Sequence, residues 1–202
     1  DYHKKALEIR QRCIHPKHTN LATSYNNIGL IYDQFGEFQT ALIYYEKTMA
    51  IYRDSLPPNH HWLATLLKNA ALAEASLKQY DSALNHLQQA LNIRNIVFPK
   101  NHPSIASIHV IMGDVYLQKG DYQLAITSYD ETIQISLINA CNPNYSEIAL
   151  VYYNQSKAYN HLRQHQQAIK CAEQAVHFAN KISTSSNSDD LLEYKKHLDS
   201  FF

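Results

Sequence analysis

Residues 18–59 read HTNLATSYNNIGLIYDQFGEFQTALIYYEKTMAIYRDSLPPN. Leu21, Tyr25, Ile28 and Tyr32 recur at the spacing of one helical stripe, and Ala41, Leu42, Tyr45, Met49 and Tyr52 make a second. Between the stripes stands Gly36-Glu37-Phe38, a short turn with glycine where a positive φ costs nothing. Strand-like alternation is absent. The stretch predicts two amphipathic helices folded back on each other.

The same pattern returns along the chain. Gly29 and Gly113 stand 84 residues apart, as do Gly36 and Gly120, and these are all the glycines. Pro16 to Pro58, Pro57 to Pro99, His18 to His60 and His60 to His102 are each steps of 42. Cutting at this period gives repeats at 18–59, 60–101, 102–144 and 145–187, the last two one residue longer. Residues 1–17 read as the second helix of a truncated repeat, with Ala6-Leu7-Glu8-Ile9-Arg10 aligning with Ala90-Leu91-Asn92-Ile93-Arg94. Residues 188–202 read as a C-terminal capping helix: Ser188 can cap it, Asp189 and Asp190 suit its first turn, and Leu191, Tyr194, Leu198 and Phe201 form its apolar stripe.

Small residues recur where helices must approach closely: Gly29, Ala71, Gly113 and Ser156 at one position, Ala41, Ala83, Ala125 and Ala168 at another. A large side chain at either place would force the helices apart, at roughly 1–3 kcal/mol. Aromatic rings fill the complementary spaces, with Tyr32, Tyr116 and Tyr159 at one position and Phe38, Tyr80 and Tyr122 at another.

Small residue, Tyr, Gly-x-Tyr/Phe and Ala at these offsets resemble the tetratricopeptide repeat. The 42-residue period, the segment Leu21–Gly29 and the linker Leu56-Pro57-Pro58-Asn59-His60 are similar to the long-period kind of kinesin light chains and nephrocystin. The resemblance covers nearly the whole chain. It implies an all-α fold, a right-handed α-solenoid of antiparallel helical hairpins. The fourth repeat departs most, with Gln155, Arg163 and His165 in place of an apolar residue, Gly and an aromatic, and predicts a less regular hairpin.

Composition is compatible with this. Lys plus Arg equals Asp plus Glu at 18 each, so no net field favours nucleic acid or an anionic membrane surface. No apolar run reaches the ~18 residues of a membrane span. Three cysteines, Cys13, Cys141 and Cys171, lack a short pairing motif and suit a reducing compartment, with cytoplasm the default.

No catalytic motif is present: there is no clustered-glycine phosphate loop, no His-Glu-x-x-His, no Gly-x-Ser-x-Gly and no Cys-x-x-Cys. The chain does not read as an enzyme, and no cofactor is expected. His161 and His165 have a metal-ligand spacing, but His165 occupies the turn position of Phe38, Tyr80 and Tyr122 and is expected to pack there, so no metal is expected. His18, His60 and His102 fall where first helices begin and should satisfy free backbone N–H groups. Cys171 lies on a buried stripe and should be inert.

Tetratricopeptide stacks bind partners in the concave groove lined by their first helices, and the resemblance says which offsets face it. The candidate peptide-binding residues are Asn26, Asn27 and Leu30, then Lys68, Asn69 and Leu72, then Val110, Ile111, Asp114 and Leu117, then Tyr153, Asn154 and Lys157. In kinesin light chains an asparagine at the offset of Asn27, Asn69 and Asn154 holds an extended peptide backbone; Ile111 breaks that pattern. An amide carries both a donor and an acceptor for the purpose. The Lys/Asn/Lys/Arg carboxylate clamp of the chaperone-tail binders is missing, since Asn26, Leu30, Asn69, Ser107 and Ile111 stand at its offsets. Trp62 is either a hot spot on the groove rim or a staple on the Leu56–Pro58 linker.

The leading expectation is therefore a scaffold holding a protein or peptide segment, uncharged and partly apolar, with no nucleic acid or membrane partner. Against it stands the plainer reading that these are surface and packing residues. A different class of function is also open: long-period arrays with such linkers resemble accessory regions of larger enzymes, including arginine-specific ADP-ribosyltransferases, whose catalytic domain would lie elsewhere.

Overall fold

The computed structural model describes residues 5, 18–138, 143–182 and 188–201. The half-repeat expected over 1–17, together with Cys13, Cys141 and the side chain of Ser188, falls outside what is described. Among the described residues the chain forms nine helices and no strand. They fall into two units, Asp1–Pro99 and Lys100–Phe202. The first unit holds α1 (Thr19–Gln34), α2 (Phe38–Ser55), α3 (His61–Ser76) and α4 (Tyr80–Val97). The second holds α5 (Pro103–Lys119), α6 (Tyr122–Ile138), α7 (Tyr145–His161), α8 (His165–Ala179) and α9 (Ser188–Asp199). Sequential helices pair as antiparallel hairpins, α1 with α2 and α3 with α4, then α5 with α6 and α7 with α8.

The first helix of each hairpin begins and ends for an identifiable reason. His18, His60 and His102 are N-caps, their Nδ1 accepting from the backbone N–H of Asn20, Trp62 and Ser104 at 3.1, 3.2 and 3.1 Å. The expectation that they satisfy free N–H groups is met. In the last hairpin Asn144 takes over, accepting from the N–H of Glu147 at 3.3 Å. The first helices end in one repeated turn. A residue with positive φ sits at 36, 78, 120 and 163, and the next residue's N–H reaches back to the carbonyl of Tyr32, Glu74, Tyr116 or Tyr159 at 2.8–2.9 Å. This is the Schellman closure. Gly36 and Gly120 adopt it freely; Lys78 (φ 60°) and Arg163 (φ 59°) adopt it without that freedom.

Packing inside each hairpin follows the small-residue grid. Gly29 lies against the ring of Tyr45 and Gly113 against that of Tyr129. Both rings are fully buried. Thr48 and Thr132 donate to the carbonyls of Ala22 and Ala106, tying second helix to first. The fourth hairpin keeps the same form despite its departures. Gln155 is buried and donates to Asp130 Oδ1 at 2.6 Å, and Arg163 makes the turn that glycine makes elsewhere. His165 corrects the expectation that it packs: it is exposed, whereas Phe38, Tyr80 and Tyr122 are half-buried. A polar imidazole gains less from burial than a phenyl ring does. The ring of Tyr122 stacks on His161 instead, 4.5 Å between centroids and 1° from parallel. In the second unit α9 packs on α8, with Tyr194 buried against Tyr153, Ala175 and Phe178.

Candidate functional site

In the first unit Asn26, Asn27 and Leu30 project from α1, and Lys68, Asn69 and Leu72 from α3. All are half-buried except Leu72, which is exposed. Asn26 opens on a cleft of about 310 Å³ whose other walls are Thr23, Tyr52, Trp62, Thr65 and Leu66. Trp62 therefore belongs to this cleft. Its ring also lies 5.9 Å from Tyr52 and 4.9 Å from His60, so the rim residue is held by neighbouring aromatics rather than free. The threonines are fixed by their own helices, Thr23 donating to the Thr19 carbonyl and Thr65 to that of His61. Arg94, reaching from α4, donates to Thr65 Oγ1 at 2.9 Å beside the cleft. Tyr52 and Arg94 share one offset on the second helices and were not candidates from sequence. The signal was there, since a guanidinium at 94 interrupts an otherwise apolar stripe.

The second unit is arranged differently. Asp114 accepts from Tyr129 Oη at 2.7 Å and from Asn154 Nδ2 at 3.0 Å. Burial pushes its carboxyl up from the ordinary range, against the opposing pull of these two bonds and of Lys157. The Lys157 ammonium sits 3.8 Å above the Tyr153 ring, and burial pushes its pKa down while Glu193 and Asp114 work the other way. Tyr153 is 8% exposed; its hydroxyl donates to Glu193 of α9, and its ring contacts Tyr194 and His197. Val110 and Leu117 pack on the cluster around Tyr129 and Val151, and Ile111 is half-buried. Asp114, Tyr153, Asn154 and Lys157 are thus brought together, but into a network with Tyr129 and Glu193. A smaller cleft of about 200 Å³ includes Ser136 and Glu147, at the offsets of Tyr52 and Trp62, but its other walls are Pro103, Ala106, Ile135, Pro143 and Asn144.

Among the described residues no group of three or more His, Cys, Asp or Glu could hold a metal ion. Cys171 is half-buried, and its thiol is pushed up to about 12 by burial and then by Asp130. No described helix is long and apolar enough to cross a membrane.

Antiparallel hairpins with this turn, this small-residue grid and a polar first-helix face define an α-solenoid of the repeat-scaffold class. The tetratricopeptide repeat model matches residues 1–54, 39–96 and 104–181, and the chain belongs to that family. No curated protein matches the sequence. Among solved structures, BtubC (BKLC) from P. vanneervenii is similar with a TM-score of 0.80 at 18% identity, covering 91% of this chain and 74% of that one. Repeats assigned to a kinesin light chain of Podosopora anserina give 0.75 at 20% identity, covering 91% and 86%. The apo form of RapI gives 0.80 at 15% identity, covering 98% of this chain and 52% of RapI. The fold is shared with the kinesin light chain repeats, and tetratricopeptide repeats generally serve as protein-interaction scaffolds.

Proposed function

We propose that this chain binds a peptide segment or partner domain on the face formed by its first helices. Asn26, Asn27, Leu30, Lys68, Asn69 and Leu72 are the main contacts, and Val110, Ile111, Asp114, Leu117, Tyr153, Asn154 and Lys157 make a second, weaker set. The observation that carries this reading is the cleft under Trp62, where an aromatic wall meets the amide of Asn26 and two threonine hydroxyls. Such a mixture buries one apolar side chain of a ligand while offering hydrogen bonds to its backbone. The second set is weaker because Asp114, Asn154, Lys157 and Tyr153 already hold one another. The ligand is an uncharged or weakly charged extended segment, and the free thiol of Cys171 suits a reducing compartment such as the cytoplasm. An accessory array within a larger enzyme would use the same face in the same way.

The test uses a peptide selected from a random displayed library against the intact chain, its affinity read by fluorescence anisotropy. Replacing Asn69 and Leu72 together by alanine should weaken binding tenfold or more with unchanged far-ultraviolet circular dichroism. Unchanged affinity in that variant refutes the assignment.

A further inference from the structure

On the opposite side of the first unit, α2 and α4 flank a cleft of about 370 Å³ floored by α3. Leu42, Ile43 and Met49 give it an apolar wall, and Glu46 and Glu74 are its acids. Glu74 breaks the repeat grid, standing where the other repeats have Tyr32, Tyr116 and Tyr159. Its side chain is only 8% exposed, yet it is a carboxylate, with Ser82 Oγ donating to Oε1 at 2.6 Å and His86 Nδ1 lying 2.8 Å from Oε2. In the first hairpin the same two positions hold the stacked rings of Tyr32 and Tyr44, 5.5 Å apart.

The second unit shows how this cleft is closed when it is not used. At the offset of Ala70 it carries Gln155, whose amide donates to Asp130 Oδ1 at 2.6 Å and accepts from Cys171 Sγ at 3.4 Å. Asp130 stands at the offset of Glu46, Cys171 at that of His86, and Tyr159 at that of Glu74. A donor on a short stem therefore fills the space and satisfies the acid. The first unit keeps the acid at Glu46, adds a second at Glu74, and replaces the filling side chain with the methyl of Ala70.

We propose that this cleft is a second binding site, separate from the first-helix face, for an arginine side chain of a partner protein. The aliphatic stem would lie on Leu42, Ile43 and Met49, as such stems do on apolar surface. The guanidinium would take the place of the Gln155 amide, between Glu46 and Glu74. A carboxylate has about four lone-pair sites, so Glu74 can still accept after Ser82 and His86 are served. Guanidinium suits two carboxylates because its planar fork donates in more than one direction. Of the two basic residues on the wall, His86 already lies against Glu74, and Arg53 is seven residues along α2 from Glu46, roughly 10 Å away.

The probe is the capped tripeptide acetyl-Ala-Arg-Ala-amide, titrated into the intact ¹⁵N-labelled chain, with citrulline and alanine versions as controls. Saturable shifts confined to the amides of Leu42–Met49 and Glu74–His86 are expected, with the citrulline peptide at least tenfold weaker. Ala70→Gln should close the cleft as Gln155 does and reduce affinity at least tenfold. Glu46→Gln, at an exposed position that cannot disturb the core, should also weaken binding, while Asn69→Ala on the other face should not. Absence of shifts, equal response to the alanine peptide, or wild-type binding by both Ala70→Gln and Glu46→Gln would overturn the proposal.

Discussion

A Cβ atom placed on Gly113 would lie 2.4 Å from Cε1 of Tyr129, closer than any side chain tolerates. The first hairpin repeats the arrangement at 2.6 Å between Gly29 and Tyr45. The second hairpin keeps a similar total volume with other sizes, Ala71 facing the offset of Leu87. The fourth has small residues at both places, Ser156 and Ala172, and there the Ser156 hydroxyl lies 3.0 Å from His197 Nε2 of α9.

Gly113→Ala should therefore destabilise the second unit, although alanine is the better helix former by about 1 kcal/mol. Overpacking against a fully buried ring costs roughly 1–3 kcal/mol, and a net loss of up to about 2 kcal/mol is expected. Tyr129→Leu in the same chain should relieve part of it, giving a favourable coupling of at least ~1 kcal/mol in a double-mutant cycle of chemical denaturation. Additive single effects would show that the ring has another place to go.

The turns predict a gain. Lys78 and Arg163 hold left-handed backbone at φ 60° and 59° where Gly36 and Gly120 do so freely. For an ordinary residue that conformation costs roughly 1–2 kcal/mol, and glycine gives back part of the difference through its freer unfolded chain. Lys78→Gly and Arg163→Gly should each stabilise by about 0.5–1 kcal/mol. Thermal melts of the two variants check this, and a lower midpoint in both would mean that these side chains contribute contacts outweighing their strain.

The two buried tyrosines should respond oppositely to loss of their hydroxyls. Tyr129 Oη donates to Asp114 at 2.7 Å, whereas Tyr45 Oη is buried with no hydrogen-bond partner among the described residues, because Leu30 stands at the offset of Asp114. Bonds to charged groups contribute about 1.5–3 kcal/mol, and a buried unsatisfied hydroxyl costs about 1–3 kcal/mol. Tyr129→Phe should lose stability while Tyr45→Phe is neutral or stabilising. Equal losses in urea denaturation would refute the distinction.

What could be read from the chain beforehand follows from what repeats. The period, the glycine turns, the small positions and the histidine caps were legible because size and backbone freedom recur at fixed offsets. The turns at Lys78 and Arg163 were not, since neither side chain announces a positive φ. Nor was the Glu74–His86 pair. Sequence shows a tyrosine missing from its place, but the partner depends on which side chain of the next helix faces it. The hold of α9 on Tyr153 through Glu193 spans 40 residues, and no periodicity fixes the register of a terminal helix. Of the candidate groove, the offsets were readable, while the internal satisfaction of Asp114, Asn154 and Lys157 required their geometry.

Asp114 gives the pH dependence. Its carboxyl is raised, with burial the largest cause, so the folded second unit binds a proton there more tightly than the unfolded chain does. The contribution is fully present below the unfolded value near 4 and is lost as pH rises through the folded one. The ionised form of this carboxylate is poorly solvated on the first-helix face. Asp114→Asn keeps an oxygen that accepts from Tyr129 Oη and from Asn154 Nδ2 while removing the charge. The variant should be more stable than the parent at pH 7, and the difference should shrink as pH is lowered towards 4. Thermal midpoints measured across that interval decide the matter. A variant less stable at pH 7 would mean that the attraction between the Asp114 carboxylate and Lys157 outweighs the burial cost.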